Sequence, residues 1–191
     1  MRGEKCPDDK PFWNASIKKC VGCVTDKDCT GENELCLVGS PSNACNSTYD
    51  TCKKYTIHAK TTINGKEWIY VHVDNPNYSH DQYWASWNDI KKVCTHLNKQ
   101  VPTASEMIND WPGLKGWDTC LNSWDCGYTH TDLALPVFNN LVYASARSIW
   151  LDEDIDGCSA VTMKIKTDGS THLGSFGQNY DNNGVQAVCH D

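Results

Sequence analysis

The sequence predicts an α+β domain behind a small disulfide-rich module, and three observations carry that expectation. Cysteines crowd one end of the chain, an amphipathic helix signal lies near its middle, and runs of strand character close it. Of twelve cysteines in 191 residues, seven (Cys6, Cys20, Cys23, Cys29, Cys36, Cys45, Cys52) precede residue 53. The other five (Cys94, Cys120, Cys126, Cys158, Cys189) are dispersed. That change in density divides the chain into a knot at residues 1–53 and a head at residues 54–191.

The knot holds few aliphatic side chains: Ile17, Val21, Val24, Leu35, Leu37 and Val38. So little apolar surface cannot offset the conformational entropy of ordering the segment. Disulfides can, by restricting the unfolded ensemble. Turn chemistry is dense, at Pro7-Asp8-Asp9, Thr30-Gly31-Glu32-Asn33 and Gly39-Ser40-Pro41-Ser42-Asn43. A loop-rich unit with one short hairpin is expected. Cys20-Val21-Gly22-Cys23 with Cys29 and Cys36 has half the pattern of a zinc knuckle. A knuckle presents two such pairs, so disulfides are the better reading.

In the head, Lys66 to Val73 alternates Trp68, Tyr70 and His72 against Ile69, Val71 and Val73, the period of a strand. Asn64-Gly65 before it, after Thr61-Thr62-Ile63, is a hairpin turn signal. Trp87, Ile90, Cys94 and Leu97 form one apolar stripe of a helix over about 86–98. Ser86 is placed to cap it, with Asp89 in the first turn where the helix dipole favours a carboxylate. Thr103-Ala104-Ser105-Glu106 has capping-box spacing and starts a second short helix to about Asn109. Residues 112–147 read as long loops holding Trp117, Trp124 and Tyr128. Beyond them come Ile149-Trp150-Leu151, an acidic turn, a strand-like run from Cys158 to Lys166, a second short run, an Asn-rich loop and a last strand ending at Cys189.

Composition excludes several functions. A net charge of −7 and only two arginines, Arg2 and Arg147, argue against a nucleic-acid partner. No apolar run approaches the roughly 20 residues that span a bilayer, so membrane insertion by this segment is not expected. The cysteine content belongs to an oxidising compartment. The chain therefore reads as extracellular, secreted or surface-anchored through a segment outside it. The seven histidines are dispersed, and neither a Gly-x-Ser-x-Gly elbow nor a His-Glu-x-x-His pair occurs. A catalytic role is not expected.

The order of these features resembles the C-type lectin-like fold over roughly residues 55–191. The resemblance rests on Cys94 in the first helix and Cys189 in the last strand, on Val101-Pro102-Thr103 with Glu106-Met107, and on Trp150 before an acidic loop. Ala160-Val161-Thr162-Met163-Lys164 and Gly184-Val185-Gln186-Ala187-Val188 look like strands common in bacterial lectin-like surface proteins. The resemblance implies a Cys94–Cys189 bridge and a recognition protein whose loops bind a protein or glycan ligand on a cell surface. Some members diversify this loop region by retroelement mutagenesis, which the Asn- and Tyr-rich composition fits. Sugar-binding members carry Glu-Pro-Asn or Gln-Pro-Asp and a fourth-strand Trp-Asn-Asp. Neither stands in register here, since Trp87-Asn88-Asp89 lies on the first helix, so calcium-dependent sugar binding is not carried over. The alternatives are a structural subunit of a bacterial surface appendage, pilus-like, and a calcium-dependent lectin.

The ligand-contacting candidates are Trp150, Asp152, Asp154, Asn179, Tyr180, Asp181, Asn182 and Asn183, because Tyr and Asn are favoured in recognition loops. The acidic turn and the Asn-rich loop are taken to lie at opposite ends of a short strand pair, so that the loop must fold over to meet the turn. Asp152, Asp154 and Asp156 match half of a calcium loop. Its ninth and twelfth positions are Ala160 and Met163, and a solvated acidic turn is the competing reading. Trp111, Trp117, Trp124 and Tyr128 either stack on sugar or fill the core, and core is favoured. Seven and five cysteines cannot both pair internally. Cys120 is expected to pair with Cys126, leaving Cys158 for Cys52 or Cys45.

Overall fold

The computed structural model of the chain describes residues 5–38, 49–74, 86–111, 113–114, 117–119, 148–154, 158–165, 171–177 and 185–191. The first strands, β1 (Phe12–Asn14) and β2 (Lys19–Val21), form a two-stranded antiparallel hairpin. The disulfide Cys6–Cys20 ties the chain before β1 to β2. A 3-10 turn follows at Asp26–Asp28, capped by Thr25.

The remaining strands make one eight-stranded sheet. They are β3 (Glu34–Val38), β4 (Tyr49–Ile63), β5 (Lys66–Val73), β6 (Trp117–Thr119), β7 (Ser148–Asp154), β8 (Ser159–Ile165), β9 (Thr171–Gly177) and β10 (Val185–His190). Their order is β3-β4-β5-β10-β7-β8-β9-β6, with β10–β7 and β6–β9 parallel and the other pairs antiparallel. Helices α1 (Trp87–His96) and α2 (Ala104–Asp110) complete the described elements.

This corrects the expected α+β, C-type lectin-like architecture. The described chain is mostly β, with ten strands against helices of 10 and 7 residues. Much of the difference lies in β4, a continuous 15-residue strand of which only Thr61 to Ile63 had a strand signal. Its first part pairs with β3 and its second with β5, so the sheet runs through residue 53 without a break.

The local signals act where they stand. Asn64 (φ 51°) and Gly65 (φ 82°) both adopt the left-handed conformation that a tight two-residue hairpin turn needs. The Ser86 hydroxyl accepts from the Asp89 N–H, and Thr103 and Glu106 form a reciprocal capping box. Alternation along β5 then builds two cores. Ile69, Val71 and Val73 face α1 with Trp87, Ile90, Val93, Trp150 and Ala187. Trp68 and Tyr70 face the other side with Met107, Trp111, Ile149, Leu151 and Val188. Strands β5, β10 and β7 are thus covered on both faces. Burying each of these large side chains contributes about 1.5–3 kcal/mol.

Candidate functional site

The candidate site lies where β7 gives way to β8. Trp150 pairs with Thr162 but Asp154 pairs with Ala160, so β7 carries two extra residues in a bulge between them. The bulged backbone turns to the helices. The Trp87 indole N–H donates to the Leu151 carbonyl at 2.8 Å, and the Asp152 N–H donates to the Pro102 carbonyl at 2.9 Å. The Ala104 N–H at the start of α2 donates to Glu153 Oε1 at 3.1 Å, a carboxylate at a helix N-terminus. Lys91 reaches Asp152 Oδ1 at 2.7 Å while its ammonium stands 4.5 Å over the Trp87 ring. A rigid acidic ledge results, held by both helices, with the exposed Asp154 at its tip.

The β8–β9 register corrects the expected layout. Ser159 pairs with Gly177 and Ile165 with Thr171. The acidic turn therefore enters β8 beside the point where the chain leaves β9 for residues 178–184, at the same end of the sheet. An antiparallel pair joined by a turn must place its first and last residues together. The far side of that connection, Val185, pairs with Ser148 at the opposite end of β7.

The candidate residues separate as follows. Trp150 is fully buried against the α1 face, so it supports the ledge from inside and does not contact a ligand as expected. Asp152 is partly exposed and ion-paired, and Asp154 is exposed. Asp156, Asn179, Tyr180, Asp181, Asn182 and Asn183 lie outside the described residues, as do Trp124 and Tyr128; Trp117 opens β6. Trp111 is a core residue, edge-on to Trp68 at 5.3 Å. The second half of the calcium-loop pattern offers no side-chain ligand at its ninth and twelfth positions. Strand β8 begins at the eighth position, Ser159, and Ala160 and Met163 are buried apolar side chains without an oxygen to offer.

Every described cysteine is disulfide-bonded. The bridges with both ends among the described residues are Cys6–Cys20, Cys23–Cys36, Cys29–Cys52 and Cys94–Cys189. The last is the expected tie between α1 and the closing strand. The Sγ atoms of Cys23, Cys29 and Cys52 lie within 4.8 Å of one another, but all three are oxidised, so no thiolate is left for zinc. Cys158 is also disulfide-bonded. Cys52 is not its partner, because Cys29 holds Cys52. Cys45, Cys120 and Cys126 lie outside the described residues.

Two polar clusters escaped sequence reasoning. His58 stacks on His72 with centroids 4.3 Å apart, and Tyr70 stands edge-on to both rings. Burial, with the neighbouring His58 adding to it, holds the His72 imidazole down to about 3. On the neighbouring strand β10, His190 stacks on Trp68 at 4.5 Å and lies 3.4 Å from Glu106. That contact has ion-pair distance without hydrogen-bond alignment. Burial pushes the Glu106 carboxyl up, but the Thr103 N–H and hydroxyl, then His190 and Lys66, outweigh it and leave it below its ordinary value. His72 and His190 are both closed to a substrate by burial.

No family model matches the sequence, and neither a curated protein nor a solved structure matches it. Among the described residues, no helix is long and apolar enough to cross a membrane.

Proposed function

We propose that this is an extracellular, non-catalytic ligand-binding protein, adhesin- or receptor-like, that presents loops from the β7–β8–β9 end of a disulfide-stapled β-sheet to a protein or glycan ligand. The observation that carries the reading is the common exit of the acidic turn and residues 178–184, set by the Ser159–Gly177 pair. Binding loops need a rigid base, and here the base is a bulged strand bonded to two helices. The bridges fit an oxidising compartment. His72 and His190 are buried, and the described cysteines are disulfide-bonded.

The test is a screen of the intact protein against immobilised glycans and cell-surface proteins, followed by titration of any hit with Tyr180→Ala and Asp154→Ala. Loss of an interface aromatic commonly costs 2 kcal/mol or more, about thirtyfold in affinity. A Tyr180→Ala protein that folds normally and retains full affinity refutes the assignment to this loop.

A further inference from the structure

We propose that Cys29–Cys52 and Cys23–Cys36 form one thiol–disulfide exchange unit: a small thiol enters at the first bridge, and the second opens only by relay through it. The two bridges differ in access. Cys23 and Cys36 are fully buried, whereas Cys29 and Cys52 are only partly buried. They are also neighbours, since the Cys23 sulfur lies within 4.8 Å of both Cys29 and Cys52 sulfurs. Cys36 and Cys52 further stand opposite each other on β3 and β4.

Exchange proceeds by thiolate attack on a disulfide sulfur. A small thiolate attacks the Cys29 sulfur, forms a mixed disulfide and expels Cys52 as thiolate. Cys52 then attacks the Cys23 sulfur, forms a Cys23–Cys52 bridge and expels Cys36, which takes up a proton. A second small thiolate attacks the mixed disulfide at the small-thiol sulfur and releases Cys29, which is protonated in turn. Two small thiols leave as one disulfide, and their two electrons reside in the thiols of Cys29 and Cys36. Attack on Cys52 instead gives the mirror product, a Cys23–Cys29 bridge with Cys36 and Cys52 free. Either route frees Cys36, the residue by which this pair of bridges holds β3. The unit thus links the redox poise outside the protein to the attachment of an edge strand.

The experiment uses the intact oxidised protein. Reduced glutathione is raised stepwise until one of these four cysteines first opens, thiols are trapped with N-ethylmaleimide, and the peptides are mapped. The expected first species carries maleimide on Cys36 and on either Cys29 or Cys52, with Cys23 bridged to the remaining one. Labels on Cys29 and Cys52 with Cys23–Cys36 intact overturn the relay. Labels on Cys23 and Cys36 with Cys29–Cys52 intact overturn the order of entry. Simultaneous labelling of all four, with no exchanged species at any time, overturns the proposal as well.

Discussion

Lys53 and Asp89 meet at 3.1 Å with side chains 2% and 0% exposed, joining β4 to the first turn of α1. The desolvation of two charges offsets most of such a pair's attraction, so its weight shows when one partner goes. Asp89→Ala removes the carboxylate from a buried ammonium and should cost about 3 kcal/mol, read as a lower midpoint in urea unfolding. His72 makes a different demand. Its folded-state value near 3 lies below the ordinary 6.5, so the fold favours the neutral ring. That stability is fully present above pH 6.5 and is lost as the pH falls toward 3, by up to about 1.4 kcal/mol per pH unit. Urea titrations should show the wild-type protein losing stability between pH 6.5 and 5, with His72→Gln losing distinctly less. None of this was legible beforehand. Counting back from the Asn64-Gly65 turn sets His58 opposite Val71, but the register slips between Ile57 and Ala59. The bulge carries His58 against His72 instead.

Among the elements, β3 poses the sharpest problem, because an edge strand offers unpaired backbone groups to other chains. Here two side chains occupy that edge. The Cys36 N–H donates to Asp26 Oδ1 at 2.9 Å, and Lys92 donates to the Cys36 carbonyl at 2.6 Å. Asp26 and Lys92 also pair with each other at 2.6 Å. Asp26→Ala should cost about 1 kcal/mol, speed exchange of the Cys36 amide and raise the tendency to associate, measured by hydrogen exchange and light scattering. Helix α2 depends on its box in the same way. Thr103→Ala should lower stability by about 1 kcal/mol, seen in thermal unfolding. These caps, β5 and the hairpin turn were readable because each depends on residues within about four positions of one another. Strand β4 was not, since Lys53 to Lys60 alternates too weakly to announce a strand and is held by partners on both sides.

Over the whole molecule, Cys94–Cys189 closes the longest described loop, with a sequence separation of 95. In the chain-entropy model a loop of that length contributes roughly 4–5 kcal/mol. The Cys94→Ala/Cys189→Ala double variant should lose several kcal/mol in calorimetry, more than loss of Cys6–Cys20, whose separation is 14. Beyond β10, Lys99 bonds Asp191 at 2.5 Å and Glu67 at 3.1 Å, and the Asp191 side-chain carboxylate accepts from the Glu67 N–H at 2.9 Å. Asp191 is thereby tied to β5 and to the turn after α1.

The sequence by itself determined the disulfide chemistry, the two capped helices, the Asn64-Gly65 hairpin and the two-faced strand β5, since composition and short-range spacing suffice for these. Tertiary structure alone decided that β3 and β4 carry the knot into one continuous sheet, and that Cys52 belongs to Cys29. It also decided that Trp150 points into the core and that the acidic turn and residues 178–184 leave the sheet together. Each of these depends on which strand lies beside which, and strand pairing is a long-range choice that local pattern leaves open.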